Sequence, residues 1–136
     1  VARCRTITRL TAGLEDLTVG LRAWAAGLWC LQAAVELLIG HRVWLRRADF
    51  RRCAVGVSDD GVWLDLTAAA AALEAGGLAC ASSDRQVLLL AASLAEGVPI
   101  DLCDAVTGLD ASNAALVVAA VAQAAGHPAI VAGGAQ

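Results

Sequence analysis

The chain has 136 residues, 59% of them hydrophobic, and a formal net charge of −3 at neutral pH. That length supports one domain with a core of its own, and the acidic balance, with a pI near 5.2, argues against a protein steered globally toward polyanions. Mean hydropathy is high at +0.67, yet Arg22, Gln32 and Glu36 interrupt the longest apolar stretch, and no run reaches the roughly 18 to 20 residues that a membrane span needs.

The first element is an apolar seam. Leu10, Leu14, Leu17, Leu21, Trp24, Leu28, Leu31, Val35 and Leu38 alternate steps of four and three, the spacing of a helix that buries one stripe. Gly13, Gly20 and Gly27 recur every seven residues beside it, with Ala34 continuing the series. A glycine inside a helix costs about 1 kcal/mol relative to alanine, so the expectation is two helices, roughly 13–26 and 31–40, with Gly27 as a left-handed C-cap between them. Charges are sparse at the flanking positions, which favours amphipathic helices over a coiled coil. Glu15 and Asp16 fall where the apolar part of a secretory signal would have to lie after Arg3, Arg5 and Arg9, so a cytoplasmic protein is expected.

Beyond Gly40, the stretch HRVWLRRADFRRC interleaves Arg42, Arg46, Arg47, Arg51 and Arg52 with Trp44, Leu45 and Phe50 and is expected to be a short helix. Residues of about 54–66 read as a two-stranded β-hairpin: Val55 and Val57 alternate before Ser58-Asp59-Asp60-Gly61, and Val62, Leu64 and Leu66 after it. Thr67 is the expected cap of a helix ending at Glu74, closed by Gly76-Gly77. Ser82 or Ser83 opens the next, an apolar helix around Val87, Leu88, Leu89, Leu90 and Leu94 that ends at Gly97 and Pro99. Asp101 caps a short helix to Thr107, and Asp110 caps a last one to Ala125. The prediction is a mainly α, compact multi-helix domain spanning 1–128, with 129–136 as a frayed tail. Its expected core is Leu17, Leu21, Trp24, Leu31, Val35, Leu38, Trp44, Leu90, Leu94, Val117 and Val121.

Candidate chemistry is thin. The five cysteines (Cys4, Cys30, Cys53, Cys80, Cys103) have no C-x-x-C spacing and an odd total, so they are expected to be small buried hydrophobes. No metal site and no cofactor are expected, since close-spaced ligand pairs and glycine-rich phosphate loops are missing. His41 with Asp59, Asp60 and Asp65 is the only polar group to weigh for catalysis. The aspartates read first as turn and cap residues, Ser82-Ser83 lacks a nucleophile elbow, and an enzyme is not favoured.

Charge is segregated. Residues 1–53 carry nine arginines against four acids, a net of +5, while 54–136 carry Arg85 against nine acids, a net of −8. The simpler reading is that the two halves face each other. The other is an anion- or nucleic-acid-binding face built from Arg42, Arg46, Arg47, Arg51 and Arg52, with guanidiniums on phosphate and Trp44 or Phe50 stacking. That alternative requires the five guanidiniums to converge on one exposed face. The last three helices are connected like a helix-turn-helix, but no Lys or Arg follows Asp101 and acids flank the turn, which speaks against DNA binding. The last helix is alanine- and valine-rich on every side. Ala115, Val118 and Ala119 are therefore the candidate interface residues of a non-catalytic interaction or accessory domain that pairs with a protein partner or a second copy.

The stretches AAVELLIGHRVWLRRADF and LACASSDRQVLLLAASLAEGVPIDLCDAVTGLD, with the run on to AAGH, resemble small helix-rich proteins that recur in high-GC bacterial genomes and carry no assigned activity. Over residues 18–127 the resemblance implies a discrete domain in which Gly27-Leu28-Trp29 is an interhelical turn. It implies no substrate, cofactor or catalytic residue.

Overall fold

A computed structural model describes residues 13–130. Leu10, at the start of the seam, Arg3, Arg5, Arg9 and Cys4, and residues 131–136 of the expected tail lie outside the described residues. The described residues are 69% helical, with seven helices and one antiparallel hairpin among them. In chain order these are α1 (Leu14–Ala25), α2 (Trp29–His41), a 3₁₀ turn (Trp44–Arg46), α3 (Ala48–Ala54), β1 (Val55–Ser58), β2 (Gly61–Leu64), α4 (Leu66–Glu74), α5 (Ser82–Glu96), α6 (Leu102–Thr107) and α7 (Ala111–Ala124).

The seam divides where the glycine argument places the break, but by a different turn. Leu28 N donates to Ala25 O at 3.1 Å, with Ala26 at φ −54°, ψ 130° and Gly27 at φ +87°. Those are the angles of a type II β-turn with glycine at its third position, so Gly27 belongs to a tight turn and is not a helix cap. The turn carries Leu28 out of register, and this seam residue is 57% exposed. The heptad of glycines thus has three separate causes. Gly13 precedes α1, Gly20 admits Val62 of β2, whose Cγ2 would lie 2.6 Å from an added Cβ, and Gly27 supplies the positive φ.

The hairpin pairs Val55 with Leu64, Gly56 with Trp63, Val57 with Val62 and Ser58 with Gly61, leaving Asp59-Asp60 as a two-residue loop. Leu66, expected to extend the strand, opens α4 instead. The cap of α4 is also one that local sequence misassigns. Asp65 accepts from Ala68 N at 3.0 Å, while Glu96, at the end of α5, accepts from Leu66 N and from the Thr67 hydroxyl at 3.0 Å. Two carboxylates thus satisfy the orphan donors at the positive end of α4, and Thr67 lies within its first turn. Ala81 occupies the position before α5, with Ser82 and Ser83 already helical. Asp101 and Asp110 cap α6 and α7 as expected, accepting from Asp104 N and Asn113 N.

Helix α2 is the axis of the domain. It packs against α5, α7 and α1, and Ala33, Ala34, Val35, Leu37 and Leu38 are all at most 2% exposed. The paired alanines let neighbouring helices approach closely. Trp44 and Phe50 fill the space below it, both fully buried, with ring centroids 5.8 Å apart. Of the expected core, Leu17, Leu21, Val35, Leu38, Trp44, Leu90 and Val117 are buried, while Trp24, Leu31 and Leu94 pack against its edge. Val121 is not part of it. At 53% exposure it sits off the face that α7 buries, which runs through Asn113, Val117 and Ala120.

Trp44 also donates its indole N–H to Asp84 O at 2.9 Å, tying the 3₁₀ turn to the start of α5. Trp44→Ala is expected to destabilise the domain by about 3–5 kcal/mol, the cost of emptying a buried aromatic site, read as a lowered urea midpoint.

Candidate functional site

The arginine segment is split by its own secondary structure. Arg47 and Arg51 are turned to the protein. Arg47 donates to Asp49 through Nε at 2.9 Å and through Nη2, and to Ala79 O at 2.7 Å. Its Cζ lies 4.8 Å from the Trp44 ring centroid, so one guanidinium joins a bidentate ion pair, a cation–π contact and a loop-closing hydrogen bond. Arg51 Nε donates to Leu45 O at 2.6 Å. Arg42, Arg46 and Arg52 are exposed. Arg42 ends α2 in the left-handed region at φ 69°, where its N–H still reaches Leu38 O. The five guanidiniums therefore do not form one outward set, because two of them fasten the 3₁₀ turn and α3 to their surroundings.

The charge segregation has little long-range expression. Arg22 pairs with Glu36, Arg47 with Asp49 and Arg85 with Glu74, each within its own half of the chain. Asp59 and Asp60 stand at the hairpin tip and Asp65 caps α4, so the aspartates serve the turn and cap. Cys30 and Cys103 are exposed, Cys53 and Cys80 half-buried, and all four are free thiols. The expectation of buried cysteines fails because Cys30 and Cys103 lie in the first turns of α2 and α6, on their outer sides. Burial pushes the Cys53 and Cys80 thiols upward from their ordinary value, away from the reactive thiolate. Among the described residues, no three His, Cys, Asp or Glu side chains cluster in a way that could hold a metal ion.

His41 belongs to a polar junction that sequence reasoning missed. Its ring joins the C-terminal end of α2 to the N-terminal ends of α5 and α7, with the side chain only 3% exposed. Asn113 Nδ2 donates to Ser83 Oγ at 2.7 Å and to Asp110 Oδ2 at 3.2 Å, which fixes the amide's orientation because a carboxylate only accepts. Asn113 Oδ1 therefore accepts from His41 Nδ1 at 2.8 Å, and that nitrogen carries a proton. His41 Nε2 lies 3.2 Å from Asp84 Oδ1 without making a hydrogen bond. Among the described residues, the Ser83 hydroxyl reaches His41 only through the Asn113 amide. The arrangement holds three helix ends together. Of its members, sequence alone marks only Asp110, as the cap of α7, and Ser83, as one of two candidates for the start of α5.

The candidate interface residues fare differently. Ala115, Val118 and Ala119 share the outward side of α7 and all are exposed, Val118 to 57%. Ala111 and Ala125 are exposed on the same side, and Val121 flanks it. Helix α7 carries no charged residue along its length. At its C-terminal end Gly126 lies against Trp29, whose ring would stand 2.5 Å from an added Cβ. Trp29 is 60% exposed, so the apolar strip of α7 continues onto an indole held at the start of α2.

Comparisons with protein-family models, with curated proteins and with solved structures each give no match.

Two outcomes test these assignments. The Arg47 guanidinium bonded to Asp49 holds that carboxyl below the usual carboxylate range, opposed in part by desolvation. A depressed folded-state value contributes stability above the ordinary carboxylate range and loses it as pH falls through the folded value. Asp49→Asn should therefore cost stability at neutral pH and flatten the acid limb of a stability–pH curve, measured by urea unfolding at a series of pH values. Asn113→Ala leaves His41 Nδ1 facing no acceptor in a buried site and should destabilise by about 1–3 kcal/mol, read by the same unfolding assay at neutral pH.

Proposed function

We propose that this chain is a non-catalytic interaction domain that pairs with a second copy of itself through the outward face of α7, with Ala115, Val118 and Ala119 at the centre of the contact. The observation that carries the reading is the outward face of a 14-residue helix, which carries no charge and leaves Ala111, Ala115, Val118, Ala119 and Val121 open. Scattered exposed hydrophobics are ordinary, whereas a continuous strip of them marks an association surface.

The occupant follows from charge and shape. An uncharged face gives no electrostatic preference to a partner of either sign, and two copies of it meet without repulsion. Ala111, Ala115, Ala119 and Ala122 recur at helical spacing, so two such helices can cross at close range in a two-fold contact where each residue meets its counterpart. A helix face about 21 Å long and about 10 Å wide covers on the order of 200 Å², short of the roughly 800 Å² per partner of a standard interface. Trp29 supplies further aromatic area at the end of the strip. With Arg47 and Arg51 committed internally, an anion-binding role for the arginine segment draws less support.

Light scattering should give a particle of about twice 13.8 kDa at low and high salt alike. Val118→Asp, which would bury a charge in the contact, should give a folded monomer with an unchanged circular dichroism spectrum. A wild-type monomer at about 100 μM protein, well above the range expected of specific dimers, or an unaffected dimer in the variant, would overturn the proposal. A monomer that gains mass with nucleic acid only at low salt would favour the arginine segment instead.

A further inference from the structure

The hairpin leans on α1 so as to leave a cleft of about 330 Å³ between them, within the size range of small-ligand sites. No lining residue belongs to α7, so the cleft is independent of the proposed interface. Its walls are Gly20 and Trp24 of α1 with Val62 and Trp63 of β2, and Ser58 and Asp60 stand at the hairpin end.

Two glycines set its geometry. Gly20 lets Val62 close against α1, and Gly56 lies under the Trp63 indole, whose Cε2 would be 2.0 Å from an added Cβ. Trp63 is thereby laid across β1, and Trp24 stands partly buried on the helix. Among the described residues neither indole stacks on another ring, so each keeps π surface available.

The electrostatics are one-sided. Among the described residues, no Lys, Arg or His lines the cleft. Arg22, the one cation of α1, is drawn away by Glu36, with Nε to Oε1 at 2.7 Å and Nη2 to Oε2 at 3.2 Å. Asp60 lines the cleft and has no ion pair among the described residues, and Asp16 lies one helical turn before Gly20 on the same face.

We infer that this cleft is a binding site for a small quaternary ammonium group. Indole faces attract a cation through their quadrupole, and a carboxylate at the rim completes the charge balance. The choice of quaternary over primary ammonium or guanidinium rests on acceptors. Asp60 and Ser58, whose Oγ accepts from Asp60 N at 3.2 Å, stand together at one end of the cleft, and Ala23, Trp24, Val62 and Trp63 along the rest of it offer no side-chain acceptor to the donors that a lysine-like or arginine-like head spreads in several directions. A methylated ammonium has no donor to satisfy and spreads its charge over methyl groups that suit Val62 and the indoles.

The test uses tetramethylammonium chloride as the probe, followed by the four indole N–H cross-peaks in ¹H–¹⁵N spectra at constant ionic strength. Saturable shifts are expected at Trp24 and Trp63 and not at Trp44. Asp60→Asn should weaken binding about tenfold, and tert-butanol, a neutral body of similar shape, should bind at least tenfold more weakly than the cation. Absence of saturable shifts at Trp24 and Trp63, equal response to tert-butanol, or unchanged affinity in Asp60→Asn would each overturn the assignment. Trp63→Ala, on an exposed position of β2, should abolish the response while leaving the unfolding midpoint close to wild type. Retained binding in that variant counts against the site.

Discussion

Helix α2 must be covered on three sides, and most of the domain is arranged to do it. Its Ala33–Leu38 stretch holds five residues that are essentially inaccessible. Only Glu36 on that stretch reaches outward, to take the Arg22 guanidinium. A helix so apolar gains its stability from neighbours more than from its own propensity, and it receives them as α1, α5 and α7. Small residues at the contacts allow the close approach, which is why Ala33 and Ala34 sit at the centre where larger side chains would hold the helices apart.

Once α2 is fixed, its two ends decide what lies around them. At the N-terminal end, the type II turn at Gly27 reverses the chain onto α1 and sets Trp29 against Gly126 of the segment after α7. At the C-terminal end, His41 gathers Asn113, Ser83 and Asp84 from two other helices. Buried polar groups are costly when unpaired and directional when paired. This junction therefore sets the rotation of α7 about its axis, and that rotation determines which side of an almost uniformly apolar helix is left open.

The same packing explains why the arginines and the acidic half do not form opposed charged plates. Arg47 works at short range, bound to Asp49 two residues away, to a carbonyl of the loop before α5, and over the Trp44 ring. Its role is to hold a loop against an aromatic anchor. An arginine-rich segment with interleaved aromatics reads in sequence like a phosphate-binding surface, and here two of its five members are consumed by local structure.

What the sequence determined by itself is local. Gly27, the Asp-rich hairpin turn, Asp101, Asp110 and Gly97 mark element ends through backbone preferences and capping that need no distant partner, and the mainly helical class with one hairpin follows from periodicity alone. The errors begin where a distant group intervenes. Glu96 reaches back 30 residues to the Leu66 N–H beside the Asp65 cap, which places Thr67 inside α4. Val121 cannot be told from Val117 by composition, since α7 is alanine- and valine-rich on every side. The burial of one and exposure of the other belongs to the packing of α7 on α2, in which Asn113 meets His41 and the Val117–Ala120 side turns inward, because a helix without a strong amphipathic pattern takes its orientation from the contacts that the fold gives it.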